Sequence, residues 1–228
     1  VTVLLVVAKA PVAGAVKTRL CPPATPARAA RIAAAALRDT VDAVAATPGV
    51  TPVLALSGRL AEAEDGEQLA AAVAGWPVLP QRGPDLASRL AHAHADVAAA
   101  YPGRPVLQIG MDTPQVTPSD LAEAVRRLAV AGTDAVLGGA ADGGWWALGL
   151  RDPRHAAALR GVPMSTPGTG RLTGAALAGR GLRVAPLPVL RDVDGWTDAL
   201  AVAGLVPGGR FAGEVAALHR ALVLGDAR

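Results

Sequence analysis

The chain reads as an α/β protein with a Rossmann-like, mostly parallel mixed sheet covered by helices on both faces. Three observations carry that reading. Apolar runs of strand length alternate with longer alanine-rich stretches along the chain, as repeated strand–helix units require. The first run, Thr2 to Ala8, is apolar almost throughout, which fits a strand buried on both sides. It gives way at Pro11 to Gly14 to a loop and then to a long helical stretch, the opening of a Rossmann-like unit.

The elements follow in order. Pro26 to Ala46 is predicted helical, Val53 to Ser57 a strand, Leu60 to Ala74 a helix, and the residues near Val78 a short strand. A helix is expected from about Asp85 to Ala100, then the turn Tyr101-Pro102-Gly103 and the apolar run Pro105 to Ile109. Thr117-Pro118-Ser119-Asp120 supplies an N-cap and an early proline for a helix over Ser119 to Ala131. Ala135 to Leu137 and Trp145 to Leu150 read as strands, with Gly138-Gly139 and Gly143-Gly144 as punctuation between them. Short helices near His155 and over Leu172 to Ala178, a strand from Leu182 to Pro186 and a helical region from Trp196 complete the chain. No linker divides the 228 residues, so one domain spanning 1–228 is expected.

Composition narrows the function classes. Hydrophobic residues make up 51% and charged residues 18%, enough for a sizeable core built of small aliphatic side chains. Twenty-two basic residues are interspersed with 19 acidic ones, for a net charge of +3. That favours small anionic ligands slightly, and the lack of any basic run or aromatic platform argues against nucleic acid. The single cysteine, Cys21, fits a reducing compartment. The apolar first run is too short to span a membrane and has no basic leader, so a cytoplasmic protein without a membrane span is expected. His92 and His94 face different sides of a helix and His155 and His219 are remote, which leaves no zinc constellation. Neither Ser57 nor Cys21 has the context of a catalytic nucleophile.

Lysine usage singles out the first loop. Of the 22 basic residues only Lys9 and Lys17 are lysines, and they lie in one nine-residue stretch. A compact ammonium on a flexible stem suits a phosphate oxygen approached end-on, although chance placement in an arginine-biased chain is the plain alternative. Gly14 permits close backbone approach, and a loop leaving the carboxyl end of a buried strand is where ligands lie in such sheets. It is not a P-loop, because Val16 precedes Lys17 and Pro11 stands where a second glycine is needed.

The acidic candidates are Asp112, which follows the apolar run through Gly110, and the pair Asp192 and Asp194. Carboxylates at a strand's carboxyl end suit Mg²⁺, which takes one or two protein oxygens together with phosphate oxygens. Asp112 is otherwise a turn aspartate before Pro114, and the later pair a solvated strand end or helix cap. Of the aromatic pair, strand alternation sends one of Trp145 and Trp146 to the core and the other to the opposite face.

These segments resemble a known family. The run Ala8-Lys9-Ala10-Pro11-Val12-Ala13-Gly14-Ala15-Val16-Lys17-Thr18-Arg19-Leu20 looks like the N-terminal signature of the "transferase 1" group of the GT-A superfamily, a domain of unknown function assigned by homology to nucleotide-diphospho-sugar transferases. Gln81-Arg82-Gly83-Pro84-Asp85-Leu86 with Arg89, Gly110-Met111-Asp112-Thr113-Pro114, Asp142-Gly143-Gly144-Trp145-Trp146, Met164-Ser165-Thr166 and Asp192-Val193-Asp194 follow in that group's order. The 2-phospholactate and molybdenum-cofactor guanylyltransferases are more distant likenesses. The tryptophans at 145 and 146 depart from the group's tyrosines.

The resemblance implies a GT-A fold and a transferase with Mg²⁺ or Mn²⁺ as cofactor. It implies Ala8, Lys9, Pro11, Gly14, Lys17, Arg19, Gln81, Asp85 and Arg89 at the nucleotide, and Gly143, Gly144, Trp145, Ser165 and Thr166 at a small-molecule acceptor. Asp112 and Asp194, with Asp192 second, would hold the metal, and Asp112, Asp142 and Lys17 would serve catalysis. Sugar transfer from a nucleotide-diphospho-sugar is the expected activity. Nucleotidyl transfer with release of pyrophosphate and a non-catalytic nucleotide-binding module are the alternatives.

Overall fold

A computed structural model describes residues 1–225; the last three positions of the expected single domain lie outside the described residues. Seven strands form one mixed sheet: β1 (Thr2–Lys9), β2 (Val50–Ser57), β3 (Val78–Pro80), β4 (Val106–Gly110), β5 (Ala135–Ala140), β6 (Trp145–Leu150) and β7 (Val184–Leu190). Their order across the sheet is β3-β2-β1-β4-β6-β5-β7, with β6 antiparallel to both neighbours and every other pairing parallel. The helices are α1 (Pro26–Ala45), α2 (Gly66–Ala72), α3 (Leu86–Ala100), α4 (Pro118–Ala129), α5 (Thr169–Ala178), α6 (Trp196–Leu205) and α7 (Arg210–Gly225).

Strand alternation distributes the core between two faces. Leu4 and Val6 of β1 pack with Ala33, Leu37 and Val41 of α1 and Leu121 of α4, whereas Val3 and Leu5 pack with Ala93 and Val97 of α3. The opposite side of α1 is also covered, because Ile32 and Ala36 meet Val202 of α6 and Phe211 and Val215 of α7. A helix sandwiched between a sheet and a second helical layer needs small side chains all round. The alanines at 29, 30 and 33 to 36, all buried, supply them.

Where expectation and structure differ, the causes are local. The stretch expected as one helix from Leu60 to Ala74 is a 3₁₀ turn over Leu60–Glu62 followed by α2. Asp65 takes a left-handed backbone with φ of 52°, a conformation that short polar side chains tolerate and that stops a continuous helix. The late strand is Val184–Leu190 rather than Leu182 to Pro186. It is an edge strand paired only with β5, so Pro186 and Pro188 do not end it. Gly138 and Gly139 lie inside β5, because a side chain at 138 would collide with the indole of Trp146 packed there. No described helix is long and apolar enough to cross a membrane.

Candidate active site

A cleft of about 510 Å³ opens along the sheet edge where the parallel strands end. Most of its charged wall residues arrive from the carboxyl end of a strand or the loop that follows it, as do Ser57 and Gln81: Lys9 and Lys17 after β1, Ser57 at the end of β2, Gln81 after β3, Asp112 after β4, Asp142 after β5, and Asp192 and Asp194 after β7. The fold therefore gathers segments up to 185 residues apart at its ligand-binding edge.

Lys17 is the best-held of the cations. Its side chain is 9% exposed, pairs with Asp112 Oδ1 at 2.5 Å and donates to the Val193 carbonyl. Val193 N–H in turn donates to the Asp112 carbonyl at 2.8 Å, so one cluster ties the first loop, the end of β4 and the segment after β7. Lys17 has a left-handed backbone with φ of 48°, as has Ser165 with 57°, and both line the cleft. Held backbone strain of this kind concentrates at functional sites. Lys9 is exposed and donates to the Ala15 carbonyl at 2.7 Å, which closes the first loop on itself.

Beside the loop, Asp142, Asp192 and Asp194 offer carboxylate oxygens that all lie within 4.8 Å of one another. Arg19 donates to Asp194 at 2.7 Å, but among the described residues neither Asp142 nor Asp192 has a cationic partner. Burial, followed by the charges of Asp142, Asp194 and Asp112, pushes the Asp192 carboxyl up to about 6. Unpaired carboxylates of this type fit a divalent cation, an oxygen-seeking ion whose charge cancels their repulsion. The structure thus adds Asp142 to the expected carboxylates and places Asp112 beside them in an ion pair with Lys17.

Four expected ligand residues do not line the cleft. Pro11 is buried, and its carbonyl accepts from Glu64 N–H at 2.9 Å. Gly14 is an exposed turn residue with φ of 76°. Asp85 caps α3 by accepting from Ser88 N–H at 2.7 Å, which holds its carboxyl below the usual range. Gly143 lies between loops, with φ of 90° and the Pro167 carbonyl where a side chain would be. Ala8, Arg89, Gly144, Trp145, Ser165 and Thr166 do line the cleft. So does Gln81, whose amide donates to the carbonyls of Ala8 and Ala55 at 2.8 and 2.9 Å and fastens the ends of β1 and β2.

Gln108 is the most informative of the wall residues that sequence reasoning missed, and behind it His94, wholly buried, bonds to it at 2.9 Å. A signal was present, since Gln108 is the only polar residue in the run Val106-Leu107-Gln108-Ile109. Of the two tryptophans, Trp146 is the core residue and donates to the Pro188 carbonyl, while Trp145 turns its ring to the cleft.

A mixed sheet of this order with helices on both faces is the fold of nucleotide-diphospho-sugar transferase-like and cytidylyltransferase-type structures. A protein from Desulfovibrio desulfuricans, provisionally assigned as a nucleotide-diphospho-sugar transferase, superimposes with a TM-score of 0.79 at 24% identity over 96% of each chain. A cytidylyltransferase from Leptospira borgpetersenii gives 0.57 at 12% identity over 97% of this chain and 95% of its own. The CMP:2-keto-3-deoxy-manno-octonic acid synthetase complexed with CTP gives 0.53 at 13% identity over 90% and 99%. At sequence level, residues 40–166 match the family described as "Uncharacterized protein conserved in bacteria (DUF2064)", and the chain belongs to that family. No curated protein sequence matches it.

Proposed function

We propose that the cleft binds a nucleotide-diphospho-sugar with Mg²⁺ or Mn²⁺ and transfers the sugar to a small-molecule acceptor. The observation that carries this reading is the juxtaposition in one cleft of a cationic first loop with Lys17 and Arg19 and a cluster of Asp142, Asp192 and Asp194 that holds only Arg19 as counter-charge among the described residues. A diphosphate with a divalent ion satisfies both. Lys17 has three N–H donors, of which Asp112 and the Val193 carbonyl take two, leaving one for a phosphate oxygen. Arg19, more than half exposed, has further N–H groups beyond the one given to Asp194.

Asp142, Asp192 and Asp194 would hold the ion, with Asp112 alongside, its carboxylate fixed by Lys17. The ion, when bound, supplies Lewis-acid stabilisation of charge on the leaving diphosphate. Lys17 adds fixed positive charge from a site it occupies before substrate arrives, so no reorganisation is needed for it. Trp145, Ser165 and Thr166, which line the same cleft, would receive the acceptor substrate.

The first loop, with Lys17-Thr18-Arg19-Leu20, favours a second reading in which a nucleotide is transferred to a phosphorylated acceptor and pyrophosphate leaves. The experiment offers nucleotide-diphospho-sugars in one set and nucleoside triphosphates with phosphorylated acceptors in another, with Mg²⁺ in both. Turnover or binding confined to the first set is expected. Pyrophosphate release from the second set, with no binding of any nucleotide sugar, reverses the ranking. Nucleotide binding without turnover in either set, unchanged by joint Asp192→Asn and Asp194→Asn replacement, identifies a non-catalytic module.

A further inference from the structure

The transferase reading leaves the acceptor substrate open, and the cleft floor bears on its chemistry. Val7 of β1, Leu90 of α3, Trp145 of β6 and Met164 belong to one apolar cluster and all line the cleft. Trp145 gives its indole N–H to Thr173 Oγ1 at 3.2 Å, so its ring serves the floor as an apolar wall. Gln108, 3% exposed in the middle of β4, brings a polar side chain to this lining.

His94 fixes how Gln108 is presented. Its Nε2 lies 2.9 Å from Gln108 Oε1, and an amide oxygen only accepts, so Nε2 carries the proton. Nδ1 is then bare, which agrees with its having no hydrogen-bond partner; a buried N–H left in that state would be the rarer arrangement. With the amide oxygen occupied, the group that Gln108 has free is its NH₂, which makes no hydrogen bond among the described residues. Unlike His94 Nδ1, this donor is not sealed from the cleft but opens on it, so a ligand atom that covers it must accept a hydrogen bond or leave it unpaired.

We propose that the acceptor substrate is a mostly apolar small molecule that carries, besides the hydroxyl whose oxygen bonds to the sugar and gives up its proton as the nucleoside diphosphate leaves, one hydrogen-bond-accepting oxygen, such as a carbonyl, that the Gln108 amide recognises while its body covers Val7, Leu90, Trp145 and Met164. A second sugar fits poorly, because hydroxyls laid on those side chains would lose water without gaining partners. His94 is a positioning residue, acting through Gln108.

The test uses the whole chain and a matched pair of phenols, 4-hydroxyacetophenone and 4-ethylphenol, which differ in the ketone oxygen. Wild type is expected to bind the ketone about tenfold or more tightly, since a site built to donate a hydrogen bond disfavours the analogue lacking it. Gln108→Met, of similar length, should abolish the preference from both sides, lowering ketone affinity and raising that of 4-ethylphenol, which no longer leaves the amide unpaired. His94→Leu should lower the ketone to ethylphenol ratio without lowering 4-ethylphenol affinity, a selectivity change that a general packing role would not produce. If Gln108→Met does not fold, the double variant His94→Leu/Gln108→Met removes both polar partners and answers the same question. Equal binding of the two phenols by wild type, binding of neither, or a ketone preference that survives in Gln108→Met overturns the proposal. Titration of a nucleoside diphosphate with Mg²⁺ into the same samples separates the two levels. Nucleotide binding without ketone preference sinks this inference alone, and ketone preference without nucleotide binding sinks the transferase reading alone.

Discussion

Replacing Lys17 by methionine removes the ammonium and keeps most of the stem, so it separates charge from packing. In the free protein the change leaves the Val193 carbonyl without its donor and Asp112 without its cation. The ion pair itself matters little to stability, because the Asp112 side chain is 54% exposed and water can replace the ammonium. The carbonyl lies deeper, and an unmade bond there costs about 1–2 kcal/mol. A fall in Tm of about 2–8 °C follows for a chain of this size. Affinity for a nucleoside diphosphate with Mg²⁺ should drop further, because a charge-assisted bond to phosphate contributes about 1.5–3 kcal/mol, or roughly tenfold to a hundredfold. The left-handed backbone at φ of 48° adds a second expectation. Lys17→Gly should be more stable than Lys17→Ala by about 1 kcal/mol, since glycine adopts that conformation freely. Urea unfolding of the three variants and calorimetric titration of the Met variant measure these quantities. Wild-type affinity in Lys17→Met would refute phosphate binding at this residue, and an alanine variant more stable than the glycine one would refute the backbone argument.

Asp192→Asn should stabilise the metal-free chain at pH 7, by an amount on the order of 1 kcal/mol once half-exposure is allowed for, because it removes a carboxylate repelled by its neighbours. The same variant should lose most of the thermal stabilisation by Mg²⁺, so an unchanged Mg²⁺ response would remove Asp192 from the ion's ligands. Gly143→Ala should destabilise the fold by about 2 kcal/mol or more, since φ is 90° and the Pro167 carbonyl occupies the place of the new methyl; a fully stable variant would show that the loops can part there. Burial holds His94 neutral by lowering its pKa from 6.5 to about 4. The unfolded chain therefore binds the extra proton first, and the contribution of this group is complete above about pH 6.5 and lost as pH falls towards 4. By pH 5 the loss is about 2 kcal/mol, read as the difference in urea stability between wild type and His94→Leu/Gln108→Met at pH 7 and pH 5; identical pH profiles would contradict it.

Much of the fold was legible in the sequence because its strands are short apolar runs set between recognisable caps and turns. Thr25 before Pro26 and Thr117 before Pro118 both cap their helices as the residue types suggest. What escaped depended on neighbours distant in sequence. Pro186 ends a strand in a central position but not at a sheet edge, and only the topology shows that β7 is an edge. Gly138 and Gly139 looked like a turn because the partner that needs the space, Trp146, comes from the next strand. In the site, Lys17, Asp112, Asp192 and Asp194 could be nominated from charge and position at strand ends. The Lys17–Asp112 pair follows from β1 lying beside β4, the approach of Asp142 to the later aspartates from β5 lying beside β7, and the tie of Gln108 to His94 from α3 packing on β4.

The central claim is that one divalent ion and a diphosphate bridge the carboxylate cluster and the first loop. Crystals grown with Mn²⁺ and a nucleoside diphosphate test it directly by anomalous diffraction. The account predicts a single strong peak within coordination distance of Asp192 and Asp194 oxygens, with Asp142 or Asp112 close by and the diphosphate reaching Lys17. A fully occupied nucleotide with no Mn²⁺ at these carboxylates, or with its phosphates away from Lys17, would contradict it.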